Sequence, residues 1–299
     1  MTQTQDAPAT TAARRQWASE DVGNIVSLEH VNTCVPDQLI ATTFYLVGMG
    51  FTRDPYINVG LNNMWVNVGE QQFHLPARAP QVIPGHTGIV VPNLNELTAR
   101  LEMVADALKD TSFGYTVEAD HVDVTTPWGN LLRCYAPAPR FGDVFIGIPY
   151  VEVLTRRGTA DGIVRFYQQV MQAPATVEQD GGDAVARISI GTYQWLNFRE
   201  SDAEIRPYDG HHIAVYIANF SGPFDWLQER GLIKEDVRNH QFRMQEIVDP
   251  DTGEHLKTFE HEVRGLFHPM YRREMVNRNA SQNMAGYSRG HDALIPSGA

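Results

Sequence analysis

The chain has 299 residues, of which 42% are hydrophobic, 10% aromatic and 20% charged, and these values exclude a wholly disordered chain. The length indicates one large domain or two ordinary ones. The net charge of −12, from 24 basic and 36 acidic residues, argues against a nucleic-acid partner.

Both ends of the sequence are polar and lack a periodic apolar pattern. We therefore predict a polar N-terminal tail at 1–23 and a polar C-terminal tail at 276–299. The folded body between them divides into an N-terminal half, 24–141, and a C-terminal half, 142–275.

Four segments of the body begin alike, with a short strand-like stretch followed by a turn or cap signal and a helical pattern. The strand-like openings are LEHVNTCV at 28, GHTGIVV at 85, PYVEVLT at 149 and HHIAVYI at 211. The helical patterns that follow are QLIATTFYLVGM, LNELTARLEMVADAL, ADGIVRFYQQVM and FDWLQERGL. Three β-rich stretches broken by Gly, Asn or Asp come after each helix. Corresponding first-strand positions are 56, 64 and 62 residues apart: His30, His86, Tyr150 and His212. The pattern predicts an α+β fold of four βαβββ modules.

This arrangement resembles the vicinal oxygen chelate superfamily, which includes glyoxalase I, extradiol dioxygenases and the bleomycin-resistance proteins. The resemblance covers about residues 27–270 and lies in EHVNTCVPD, the Phe44-Tyr45 to Gly50-Phe51 run, Phe166-Tyr167, TPWGNLLRCYAP and HHIAVYIANF. It implies that paired modules form two curved mixed sheets. It also implies a divalent metal held by the first and last strands of a module pair.

The ligand positions follow from that resemblance, residue by residue. The first-strand positions are the four given above, and the last-strand positions are His74, Arg133, Asn197 and Glu262. Arginine offers no lone pair to a metal, and Tyr150 and Asn197 are poor candidates. The predicted metal ligands are therefore His30, His74, His212 and Glu262.

Two pairings of the modules are open. Pairing one with four and two with three, as in single-chain glyoxalase I, gathers all the predicted ligands in one site. Pairing one with two and three with four, as in extradiol dioxygenases, divides them. The first pairing explains more residues and is preferred, and it requires His30 and His212 to lie within about 8 Å of each other.

Strand alternation places Glu260, Glu262 and Arg264 on one face. We interpret Glu262 as a ligand that also shuttles a proton, and Arg264 as a group that binds a substrate anion. Each residue also has a simpler interpretation: His30 and His74 as packed strand histidines, Glu262 as an ion-pair partner of Arg264. Of the adjacent His211 and His212, only one can face the site, and the alignment favours His212.

The preferred function is a metal-dependent lyase or isomerase of the glyoxalase type that acts on a small oxygen-chelating substrate. Fe(II), Ni(II), Zn(II) or Co(II) suits nitrogen-rich ligation with one carboxylate. The alternatives are an Fe(II)-dependent extradiol-type dioxygenase and a metal-free small-molecule binding protein. We predict no nucleic-acid or membrane partner and a possible homodimer. The two cysteines and the lack of an apolar leader favour a cytoplasmic location.

Overall fold

The structure, a computed structural model, describes residues 20–55, 62–237, 239–275 and 279. Most of the two predicted tails, 1–23 and 276–299, therefore lies outside the described residues.

Four βαβββ modules follow one another along the described chain, as predicted. Module one contains β1 (Ile25–Asn32), α1 (Gln38–Ala41), β2 (Thr52–Arg53), β3 (Asn63–Val68) and β4 (Gln71–Pro76), and α1 continues into a π-helix at Thr42–Gly48. Module two contains β5 (Gly85–Val90), α2 (Leu94–Leu108), β6 (Gly114–Val117), β7 (His121–Thr125) and β8 (Leu131–Tyr135). Module three contains β9 (Gly147–Arg156), α3 (Ala160–Gln169), β10 (Ala175–Asp180), β11 (Asp183–Gly191) and β12 (Gln194–Ser201). Module four contains β13 (His212–Ile217), α4 (Ser221–Glu229), β14 (Ile233–Val237), β15 (Gln241–Val248) and β16 (His255–Gly265).

The modules pair into two mixed eight-stranded sheets. The first sheet joins modules one and four in the order β14-β15-β16-β13-β1-β4-β3-β2, and the second joins modules three and two in the order β10-β11-β12-β9-β5-β8-β7-β6. The α+β fold and the preferred pairing are thus confirmed. Each sheet takes one module from 24–141 and one from 142–275, and the division of the chain into these halves stays a prediction.

Side-chain caps explain why two of the helices begin where the sequence predicted. The Asp37 carboxylate accepts hydrogen bonds from the backbone N–H groups at the start of α1. Asn93 does the same for the first turn of α2. Each cap satisfies backbone donors that have no partner inside the helix.

One face of each sheet packs into the core. Val31 and Ile213 of the first sheet and Val151 of the second are fully buried. Helix α3 contacts both β11 and β15, and the Tyr167 hydroxyl of α3 lies 2.6 Å from Nε2 of His261 on β16. The helical layer therefore joins the sheets, and the residues that alternate with the core positions lie on the opposite face of each sheet, here called its site face.

None of the helices in the described part of the chain is both long and apolar enough to cross a membrane.

Candidate metal centre

Three histidines converge on the site face of the first sheet. Asn32 of β1 pairs with His74 on β4 and with His212 on β13, so these two histidines flank the central strand at the same level. His30 lies two residues before Asn32 and shares its face. A ring nitrogen of each histidine lies within 4.8 Å of the others, and we call His30, His74 and His212 the histidine cluster. The ring centroids of His30 and His212 are 5.8 Å apart, as the preferred pairing requires.

The Nε2 atoms of all three histidines are buried and have no hydrogen-bond partner. Burial, with the neighbouring histidines, lowers the pKa of His74 well below its usual value. Burial also lowers the pKa of His212 to about 3. At neutral pH both rings therefore carry a free lone pair, which is the form that binds a metal. Unpartnered buried nitrogens are unfavourable unless a ligand satisfies them, so the cluster fits a bound metal ion.

A carboxylate that the sequence pattern did not reveal holds His30 in place. Strict alternation puts Glu29 on the core face, but the register with β13 shifts between Leu28 and His30. This irregularity allows the buried Glu29 carboxylate to contact Nδ1 of His30. A histidine that donates its Nδ1 proton to a carboxylate keeps its Nε2 lone pair free, which is the common arrangement behind metal-binding histidines.

Trp65 of β3 forms a wall of the histidine cluster. Its ring stacks on His74, with the centroids 3.9 Å apart and the planes 16° from parallel. It also meets His30 edge-on at 4.8 Å. These contacts restrict the orientations that two of the three histidines can adopt.

Glu262 of β16 lies beside the cluster, with its Oε2 atom 3.9 Å from Nε2 of His212. Arg264 Nε donates to its Oε1 at 2.6 Å, and the Arg243 guanidinium pairs with its Oε2. Burial opposes ionisation of Glu262, but Arg264, His30 and Arg243 together hold its pKa below the usual value. Glu262 is therefore a carboxylate next to the three histidines, and its role as a fourth ligand stays a prediction.

Arg264 joins the two sides of the site. Its Nη1 donates to Glu29 Oε1 at 2.7 Å, while its Nε bonds Glu262 and also lies 3.2 Å from Gln241 Oε1. The guanidinium thus bridges the carboxylate behind His30 and the one beside His212. These contacts already use much of its hydrogen-bonding capacity, and the predicted role of Arg264 in binding a substrate anion is not tested by them.

Two further buried histidines of module four, His211 and His261, lie outside the cluster. His211 is buried and its Nδ1 lies 2.6 Å from Asp209 Oδ1. His261 lies on the core face beside Tyr167, as described above. Both ring nitrogens of His261 have partners, whereas Nε2 of His211 is buried without one but lies outside the group of histidines that could share a metal.

The second sheet brings the matching positions together with different chemistry. His86 Nε2 lies 2.9 Å from the Tyr150 hydroxyl, so its lone pair or proton already has a partner. Arg133 occupies the place of His74 and makes a two-bond ion pair with Asp123, at 2.8 and 3.1 Å. Asn197 occupies the place of Glu262.

Solved structures with this architecture include enzymes. Glyoxalase I from Zea mays superposes with a TM-score of 0.56 at 13% identity over 80% of this chain and 92% of that one. A "putative dioxygenase" from Bacillus subtilis superposes with a TM-score of 0.52 at 17% identity over 81% of this chain and 86% of that one. Neither a protein-family profile nor a curated protein matches the sequence. The chain has the fold of the vicinal oxygen chelate superfamily, and at these identities the likeness concerns the fold alone.

Proposed function

We propose that the protein is a divalent-metal-dependent enzyme of the glyoxalase type, a lyase or isomerase that acts on a small substrate binding through two oxygens. The observation that carries the proposal is the convergence of three buried, unpartnered Nε2 atoms on one sheet face, with an ionised carboxylate 3.9 Å from one of them. Such a set of nitrogen donors with a nearby carboxylate suits Fe(II), Ni(II), Zn(II) or Co(II).

His30, His74 and His212 would hold the ion, with Glu262 as the fourth group. When bound, the ion would supply Lewis-acid stabilisation of negative charge on substrate oxygens. Four protein groups on the ion would leave room for a substrate that binds through two oxygens. Ligation by all four groups, His74 and Glu262 included, would therefore favour proton-transfer chemistry over oxygen activation.

The residues around the cluster would position and move the proton. Glu29 would keep His30 in one tautomer and orientation, and Trp65 would limit the rotation of His74. Glu262 would accept and return the substrate proton, which requires its carboxylate to release one guanidinium when the substrate arrives. Arg243 is the partner to release, because it is more exposed than the buried Arg264.

The proposal is tested by assaying metal-loaded protein with 2-oxoaldehyde–thiol adducts under strict anaerobiosis. We expect turnover that falls by about 10²-fold or more in Glu262→Gln and in His74→Ala, and that is unchanged in His86→Ala. Purified protein that takes up none of the four ions would support the metal-free binding protein instead.

One observation favours a second candidate, an Fe(II)-dependent dioxygenase. Both Glu262 oxygens are engaged by arginines, so the three histidines are the groups that are free to bind a metal in this arrangement. Three protein ligands would leave room for both O₂ and a diol. Oxygen uptake by the Fe(II)-loaded protein with any catechol would establish this candidate and reject the glyoxalase type.

The expectations on partners and location stay predictions. A small-molecule substrate follows from the proposed site. Both cysteines lie among the described residues as buried free thiols, which is compatible with the predicted cytoplasmic location. The possible homodimer is to be tested by measuring the mass of the protein in solution.

A further inference from the structure

A cavity of about 540 Å³ opens on the site face of the second sheet. It lies on the strands β5, β8, β9, β11 and β12. In modules two and three, the positions that correspond to the predicted metal ligands come together here. Its walls combine aromatic rings with guanidinium groups, and the residues that carry the inference are Tyr135, Arg140, Phe141, Arg187, Trp195 and Asn197.

The chemistry of this cavity excludes the role proposed for the histidine cluster. Tyr150 lines the cavity, where its hydroxyl lies 2.9 Å from Nε2 of His86 and 3.2 Å from the Tyr135 hydroxyl. A glycine at position 88 makes this possible: a Cβ there would come within 2.2 Å of the Tyr150 ring. Arg133 adds a fixed positive charge. The cavity is therefore shaped for an organic ligand rather than for a metal ion.

Two of the arginines in the wall are available to an anion. Arg133 and Arg199 are each held by a two-bond ion pair, with Asp123 and Glu152. Arg187 and Arg140 have weaker partners, exposed carboxylates at 3.4 and 3.5 Å.

Both available guanidiniums lie over aromatic rings. The Arg187 guanidinium carbon is 4.1 Å from the Trp195 ring centroid, and that of Arg140 is 4.5 and 4.8 Å from the Tyr135 and Phe141 centroids. A stacked guanidinium keeps its N–H groups in the plane, where a carboxylate can accept two of them. Aromatic surface beside a guanidinium suits a ligand with a flat ring.

An unpartnered polar atom lies in the same wall. Oδ1 of Asn197 is buried and has no hydrogen-bond partner. Buried acceptors of this kind are rarely left unsatisfied, so a ligand group that donates a hydrogen bond is expected beside it.

We propose that this cavity binds, without a metal, a small aromatic carboxylate that carries a hydroxyl group. The ring would lie against Trp195, Tyr135 and Phe141. The carboxylate would meet Arg187 or Arg140, and the hydroxyl would donate to Asn197.

The test is a calorimetric titration of the full-length protein with 4-hydroxybenzoate, benzoate and 4-hydroxybenzyl alcohol. We expect 4-hydroxybenzoate to bind most tightly and the neutral alcohol at least about tenfold more weakly. The double variant Arg140→Met, Arg187→Met should lose that preference for the charged compound. Asn197→Leu should remove the preference for 4-hydroxybenzoate over benzoate.

The matched control is His212→Ala, which disables the histidine cluster and should leave these affinities unchanged. Binding that disappears in this control would place the ligand in the first sheet and overturn the proposal. Equal binding of acid and alcohol, or no binding of either, would overturn it as well. Because the readout is ligand affinity and not metal content, failure here is distinct from failure of the proposed enzyme activity.

Discussion

The two sheets have the same strand order but carry different side chains at the positions that correspond to the predicted metal ligands. In the first sheet the matching places hold His30, His74, His212 and Glu262. In the second they hold His86, Arg133, Tyr150 and Asn197. The candidate metal centre and the cavity of the second sheet therefore differ in four side chains per sheet and their neighbours, while the backbone arrangement is common to both.

The two sites also differ in which of their polar atoms have hydrogen-bond partners. Around the histidine cluster, the buried Arg264 and the partly exposed Arg243 pair with carboxylates, while the histidine Nε2 atoms have no hydrogen-bond partner. In the second sheet, the Tyr150 hydroxyl partners the nitrogen that corresponds to one of those free atoms. Nε2 of His86 already has a hydrogen-bond partner and is therefore less able to bind a metal. The three Nε2 atoms of the histidine cluster have no such partner and are able to bind one.

The largest expected effect comes from removing one histidine of each sheet. His212→Ala should lower metal affinity by about 100-fold or more, since loss of a direct ligand exceeds the ~10–100-fold seen for outer contacts. His86→Ala should leave metal content unchanged. The metal content of both purified variants is to be measured. Equal loss of metal from the two would contradict the assignment of the metal site to the first sheet.

A smaller loss of metal affinity is expected from Glu29→Gln. The amide keeps the size of the carboxylate but loses the charge that orients His30, so metal affinity should fall by about tenfold. Asp123→Asn is the control, because it removes in the same way a carboxylate of the second sheet, the one that pairs with Arg133. If the two variants bind metal with the same affinity, Glu29 does not position His30.

The third prediction concerns stability. Gly88→Ala should lower the free energy of unfolding by about 1–3 kcal/mol, because the new methyl group would overlap the Tyr150 ring. Gly114→Ala is the control in the same sheet, where a Cβ would meet no atom within 4 Å. Urea unfolding measures both. An unchanged midpoint for Gly88→Ala would show that Tyr150 does not need the space above β5.

The smallest expected effect on stability comes from Lys257, a residue that connects the two sheets. Lys257 of β16 donates to the Leu154 carbonyl of β9 at 2.8 Å, and burial lowers its pKa to about 8. Between about pH 8 and the ordinary value of 10.5, the unfolded chain binds the proton that the folded chain has lost. The contribution of Lys257 to stability therefore rises with pH through that window and is constant below it.

Lys257→Met should consequently be more stable than the natural protein at pH 7, by on the order of 1 kcal/mol. The difference should shrink between pH 8 and 10, as measured by unfolding at several pH values. Lys109→Met, at an exposed position, is the control and is measured in the same way. A pH-independent difference for Lys257→Met would mean that its ammonium is not buried at a penalty.

The sequence predicted much of the fold because its signals are local and repeated. Strand alternation, helix caps and the regular spacing of the four modules identify the βαβββ order. The concentration of possible ligands in modules one and four indicated the pairing, because a metal site needs those residues together. The same concentration predicted that His30 and His212 lie near each other, although 182 positions separate them in the chain.

Other parts of the site depend on contacts that alternation does not encode. Glu29 reaches the site through a register shift in β1, and such a shift reverses the face that alternation assigns. Arg243 reaches Glu262 because β15 and β16 pair with those two residues opposite each other. The close approach of the Tyr150 ring to Gly88 is likewise a cross-strand contact between distant parts of the chain.

The most direct test of the central claim is an anomalous-scattering map from crystals of the metal-loaded protein, collected on both sides of the absorption edge of the metal. We predict one peak, at about 2.0–2.2 Å from the Nε2 atoms of His30, His74 and His212. We predict no peak in the cavity of the second sheet. A peak beside His86 and Tyr150, or loaded crystals with no peak at the histidine cluster, would contradict the claim.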